Sequence, residues 1–168
     1  MKKSMLHLVT MLVLGLVSVG STALAQSKVD DKLFSYTAPK GWTVRDFPGV
    51  ASRISHAPPA NGFAANINVV NEKAPMPLDK YLVAAEKQLK TLPGFKSGGS
   101  KPFSTAKGIK GVRVIYEQEA QGKKLRQLAY VFPGKSGLKF VVTMSALSSD
   151  GTKYDTQFDA AAKTFIVK

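Results

Sequence analysis

The chain has 168 residues, with 24 basic and 11 acidic side chains, no cysteine and a formal net charge of +13. Without cysteine there can be no disulfide, no thiolate nucleophile and no lipid-bearing cysteine. The excess of positive charge favours anionic surroundings, but it is mostly lysine, a hydrated point charge that recognises phosphate less selectively than arginine does.

The first 25 residues read as an export signal. Lys2 and Lys3 precede an apolar run from Met5 to Val19, and Ala23-Leu24-Ala25 is a small-x-small cleavage site. Cleavage after Ala25 would leave 143 residues with 22 basic and 11 acidic side chains, 18 of the basic ones lysine. The apolar run is too short for a membrane-spanning helix of about 20 apolar residues. No transmembrane segment is therefore expected after cleavage, and the destination is periplasmic or secreted. A chain of this length makes one domain and buries about 68% of its unfolded surface without a covalent staple.

Residues 26–32 are polar and are expected to form a flexible N-terminus ahead of a single domain, 33–168. Phe34, Tyr36 and Ala38 alternate with polar residues as a strand, and Pro39-Lys40-Gly41 turns the chain. Trp42 begins the next strand, so Phe34–Trp42 reads as a hairpin that opens the sheet, with the only tryptophan as its core anchor. Pro48-Gly49 ends that strand, and a short one follows over 51–56. Asn61-Gly62 is a tight-turn signal, and Ala65, Ile67 and Val69 mark one face of a further strand.

The period then changes. Leu78, Tyr81, Leu82, Ala85, Leu89 and Leu92 fall at helical spacing, with Pro77 at the start and Pro93-Gly94 as the stop. Residues 95–104 suit an irregular edge strand. Strands over 110–121, 124–132 and 138–147, joined by Gly-containing turns, make an antiparallel meander. Ser148-Ser149-Asp150-Gly151 offers caps for a last helix bearing Tyr154, Phe158, Ala161, Ala162 and Phe165. Mainly antiparallel strands with two helices give an α+β layered domain.

The order of these pieces resembles the PsbP-like superfamily, which includes the PsbP protein of photosystem II, Mog-type Ran-binding proteins and bacterial DcrB-like exported proteins. The matching stretches are F-S-Y-T-A-P-K-G-W, A-N-I-N-V, the helix from Leu78, L-K-F-V-V-T-M-S-A and F-D-A-A-A-K-T-F, covering about Leu33 to Val167. The resemblance implies an antiparallel sheet sandwiched by helices. It also implies a binding or accessory role, since the superfamily is mostly non-enzymatic and has no shared catalytic set to carry over.

Catalytic and metal motifs are thin. His56 is the only histidine after the leader, so a triad or zinc site lacks partners. Asp150, Asp155 and Asp159 could gather a cation but lack the ordered oxygens of a calcium loop, and a cap with a solvated helix face is the simpler reading. Gly134-Lys135-Ser136 has neither the first glycine nor the following helix of a phosphate loop. No cofactor is expected. A hydrolase or metal-dependent enzyme using His56 and the late aspartates stands as the rival class. A structural subunit of an envelope assembly, marked by an exposed apolar patch, is a third.

The main functional signal is charge. Between Lys96 and Lys139 lie ten basic residues against Glu117 and Glu119, a net of +8. Lys107, Lys110, Lys123, Lys124 and Arg126 are the expected contact set of a basic face for an anionic surface or an envelope protein. Replacing Lys110, Lys123 and Lys124 with glutamate is expected to abolish retention on anionic liposomes. Nucleic acid is disfavoured, because no basic-aromatic recognition motif occurs.

Overall fold

A computed structural model describes residues 26–47 and 52–168. The export signal, the cleavage site and Pro48-Gly49 lie outside the described residues. β1 (Lys28–Asp30), β2 (Phe34–Thr37), β3 (Thr43–Arg45), β4 (Ile54–His56) and β5 (Asn66–Lys73) precede α1 (Leu78–Leu89). The meander β6 (Lys96–Ser104), β7 (Lys110–Ala120), β8 (Lys123–Pro133) and β9 (Leu138–Leu147) follows, then α2 (Asp155–Lys163) and β10 (Ile166–Val167).

All strand pairs are antiparallel. The large sheet has the order β3-β4-β5-β9-β8-β7-β6, and a second sheet has the order β1-β2-β10. The expected α+β class holds, as an α/β/α sandwich. α1 packs on one face of the large sheet; α2 and the small sheet share the other.

The α2 face is filled by aromatics. Phe165 stacks on Phe34 and Phe132, with centroids 5.6 and 5.2 Å apart. Trp42 is buried edge-on to Tyr154 and Phe158. Such rings bury 150–250 Å² each and dominate the energetics of a domain this size. On the α1 face the same strands carry smaller groups, among them Ala129, Val131, Val141 and Val114.

Four details differ from the sequence expectations. Lys28–Asp30 is a strand, not a loose tail, because Val29 pairs with Tyr36 and is fully buried. A single apolar residue among polar ones shows no period to read. Phe34–Trp42 is a crossover and not a hairpin. Trp42 N–H bonds Pro39 O and Gly41 takes φ 86°, but the turn carries the chain from the small sheet to the large one. One neighbour of β2 is the strand just before it, β1; the other, β10, comes from the far end of the chain, which local pattern cannot foresee. The first helix stops at Leu89, with residues 90–92 in turns before Pro93. The last helix begins at Asp155 without a side-chain cap, since Ser148–Asp150 forms its own short 3-10 turn.

Candidate functional site

The long strands of the meander separate the expected contact set. Lys110 opens β7, whereas Lys123 pairs with Ala120 at its far end. Ten residues of extended chain lie between, roughly 33 Å. Lys107 sits in the turn before Lys110. The structure therefore brings Lys107 and Lys110 to one end of the sheet and Lys123, Lys124 and Arg126 towards the other.

The two groups have different surroundings. Lys124 Nζ lies 4.0 Å from Glu119. Lys123 is half-buried, and a Cβ on Gly62 would lie 3.5 Å from its ammonium, so its side chain rests on the Asn61-Gly62 turn. That turn closes an Ala60–Phe63 bridge with φ of 52° and 70° at its centre, as the Asn-Gly signal predicts. Arg126 forks onto Asp155, with Nε and Nη2 donating at 3.3 and 2.8 Å. The hydrogen bond to that carboxylate raises the Arg126 guanidinium above its ordinary pKa.

At the Lys110 end the lysines are free of carboxylates. The turn between β8 and β9 brings Lys135 there, and a hydrogen bond from Ala106 N–H to Lys163 O draws in the end of α2. Lys107, Lys110, Lys135 and Lys163 are all exposed, and none has an ion-pair partner among the described residues. Two further lysines of this end are tied to backbone: Lys73 donates to Ser136 O, and buried Lys139 donates to Ala74 O. Lys163 lies outside the basic stretch read from the sequence. The one sign available was its place in the last turn of the predicted helix.

Sequence reasoning missed a buried ionic lock. Arg113 is only 6% exposed and donates to both oxygens of Asp159 at 3.0 and 2.7 Å, with Asp155 at 3.7 Å from its other terminal nitrogen. Tyr130 hydroxyl donates to Asp159 at 2.6 Å. Burial, and then that carboxylate, push the Tyr130 phenol well up. Asp155 and Asp159, one helical turn apart on α2, thus neutralise two arginines of the meander.

The constellation expected of the rival enzyme does not assemble. Ser55 bonds Tyr36 at 3.0 Å on the α2 side of the sheet. His56, next along β4, points to the opposite face, since side chains alternate along a strand. Its Nδ1 lies 3.1 Å from Ala57 O. The sheet therefore stands between His56 and the late aspartates. No group of three or more His, Asp or Glu among the described residues could hold a metal ion. The large exposed hydrophobics there are Leu33, Met76 and Val83.

A cavity of about 210 Å³ lies between α1 and the sheet, lined by apolar residues including Leu82, Leu89, Val114 and Val131. Tyr81 stands at its edge and donates its hydroxyl to Glu72; burial foremost, then that carboxylate, raise the phenol's pKa.

Solved structures share this architecture. LpqN of Mycobacterium tuberculosis, described as involved in cell envelope biogenesis, superposes with a TM-score of 0.61 at 17% identity, over 88% of this chain and 92% of that one. The cyanobacterial PsbP (CyanoP) of Synechocystis sp. PCC 6803 superposes with a TM-score of 0.61 at 15% identity, over 91% and 99%. The fold is PsbP-like. The Pseudomonas aeruginosa protein PA94, of unknown function, gives a TM-score of 0.60 at 15% identity over 76% and 97%. No family model and no curated protein matches the sequence. Identities this low carry the PsbP-like fold across and leave the chemistry to the residues of each chain.

Proposed function

We propose that this chain is an exported, non-enzymatic binding or accessory protein of the bacterial cell envelope, and that the Lys110 end of its sheet recognises an anionic surface. The observation that carries this reading is the gathering of Lys107, Lys110, Lys135 and Lys163, four exposed ammonium groups without a carboxylate partner among the described residues. The part of the basic face at Lys123, Lys124 and Arg126 contributes less, because Glu119 and Asp155 already offset it. The leader supports export. No helix among the described residues is long and apolar enough to cross a membrane, so attraction would act from the aqueous side. The envelope role of LpqN, which shares the fold, agrees with that setting.

Lysines near an anionic bilayer contribute about 1 kcal/mol each, and salt screens them within about 8 Å at physiological strength. Phosphatidylglycerol liposomes should therefore retain the protein at low salt and release it at high salt. Lys107→Glu with Lys110→Glu should abolish retention. Undiminished retention of that variant would overturn the proposal.

A further inference from the structure

The two faces of the large sheet are covered unequally. α2 and the small sheet seal one of them with stacked rings. On the other, a helix of 12 residues, about 18 Å long, lies over a sheet whose seven strands span about 29 Å. Small side chains lie beneath it: Ala85 on the helix, and Ala129 and Thr143 on the central strands. Leu82, Leu92, Phe95, Val112 and Val114 are left only half-buried. The cavity of about 210 Å³ is the space this leaves. It exceeds the roughly 150 Å³ of an apolar protein cavity that takes up benzene.

The cavity has a shape and a mouth. Its lining follows α1 from Tyr81 to Leu89, about 12 Å of helix, and reaches across the sheet from β5 to β6, about 19 Å, so the volume is extended and not round. Val83, a lining residue, is 69% exposed, and Gly99 and Ser100 of β6 are exposed too. The register shift of β6 between Ser97 and Ser100 lies at this rim. The lining holds two acids and no base: Glu72 accepts from Tyr81, and Glu86 is offset by Lys90 at 2.9 Å. A carboxylate or phosphate brought to this cavity would face Glu72 and find no cation in the lining to meet it.

We propose that the space between α1 and β6–β9 binds a single extended aliphatic chain whose uncharged head stays at the mouth beside Val83 and Ser100. This site is independent of the lysine end and goes beyond it.

The test uses 1-decanol, with decanoate and naphthalene as comparison probes. Wild-type protein should gain a few degrees in Tm with decanol, since a ligand that binds only the folded state stabilises it by mass action. Decanoate should give a clearly smaller gain at equal free concentration, and naphthalene a smaller one than decanol. Methyl resonances of Leu82, Val83 and Val114 should move, while those of Val142 and Met144 on the sealed face should not. Ala129→Leu fills the space and should fold but lose the decanol shift; Val114→Phe serves the same purpose if Ala129→Leu does not fold. No decanol shift in wild type, an unchanged shift in the folded filled variant, or resonance changes on the sealed face would overturn the site. A larger gain with naphthalene would overturn the extended chain, and an equal or larger gain with decanoate the uncharged head.

Discussion

The two ends of the sheet hold their cations in different states. Towards the Lys123 end, Lys123, Lys124 and Arg126 each meet something. Glu119 faces Lys124, a turn supports Lys123, and Asp155 clamps Arg126. At the Lys110 end four lysines meet only solvent among the described residues. The difference teaches that a net charge of +8 over a stretch of sequence is not a net charge over a surface. The acids that cancel it can arrive from a distant element, here α2.

The largest effect expected is on stability and tests whether α2 neutralises the meander. Asp159→Ala leaves buried Arg113 without its two shortest bonds and should lower unfolding free energy by about 3 kcal/mol, read from urea midpoints. A loss under about 1 kcal/mol would mean that Asp155 alone holds Arg113, and the contrast between the ends would weaken. Next is Lys135→Ala with Lys163→Ala, which removes two of the four free charges. Retention on anionic liposomes should fall by about 30-fold, or about 2 kcal/mol. Lys124→Ala should alter retention less than about threefold and stability within about 1 kcal/mol, because its exposed ion pair is weak and already offsets its charge.

A last test lies in alkali and concerns the tyrosines buried on both faces of the large sheet. Burial pushes the Tyr36 phenol up to about 12 and raises Tyr81, Tyr116 and Tyr130 as well. A pKa raised in the folded state means that the fold favours the neutral phenol. That stability is fully present below the unfolded value of about 10 and is lost as pH rises towards 12. Urea midpoints should therefore stay flat with respect to these groups just below pH 10 and drop steeply above it, with tyrosinate absorbance rising together with unfolding. Tyrosinate from these four rings appearing near pH 10 without loss of structure would show that they are less buried than described.

Much of this fold was legible because the pattern was local. Val112, Val114 and Tyr116 share one face, Phe140, Val142 and Met144 another, and the helix at Leu78 has a clear period. The pairing of β2 with β10 was not legible, because sequence pattern is silent on contacts between residues more than a hundred positions apart, and its pairing with β1 was not, because Val29 is a single apolar residue among polar ones. The candidate site was half legible. Lys107 and Lys110 could be placed at a turn, and Glu117 and Glu119 could be counted. That Arg126 is already held, and that Lys163 joins the free lysines, depends on how α2 lies across the sheet. The cavity left no sign in the sequence, since Ala129 in a strand reads the same whether it is covered tightly or loosely.

The most direct measurement compares two charge reversals on the same phosphatidylglycerol liposomes at low salt. Lys107→Glu with Lys110→Glu should abolish retention, whereas Lys123→Glu with Lys124→Glu should leave most of it. Equal loss in both variants, or the greater loss in the second, would contradict the assignment of the anionic contact to the Lys110 end.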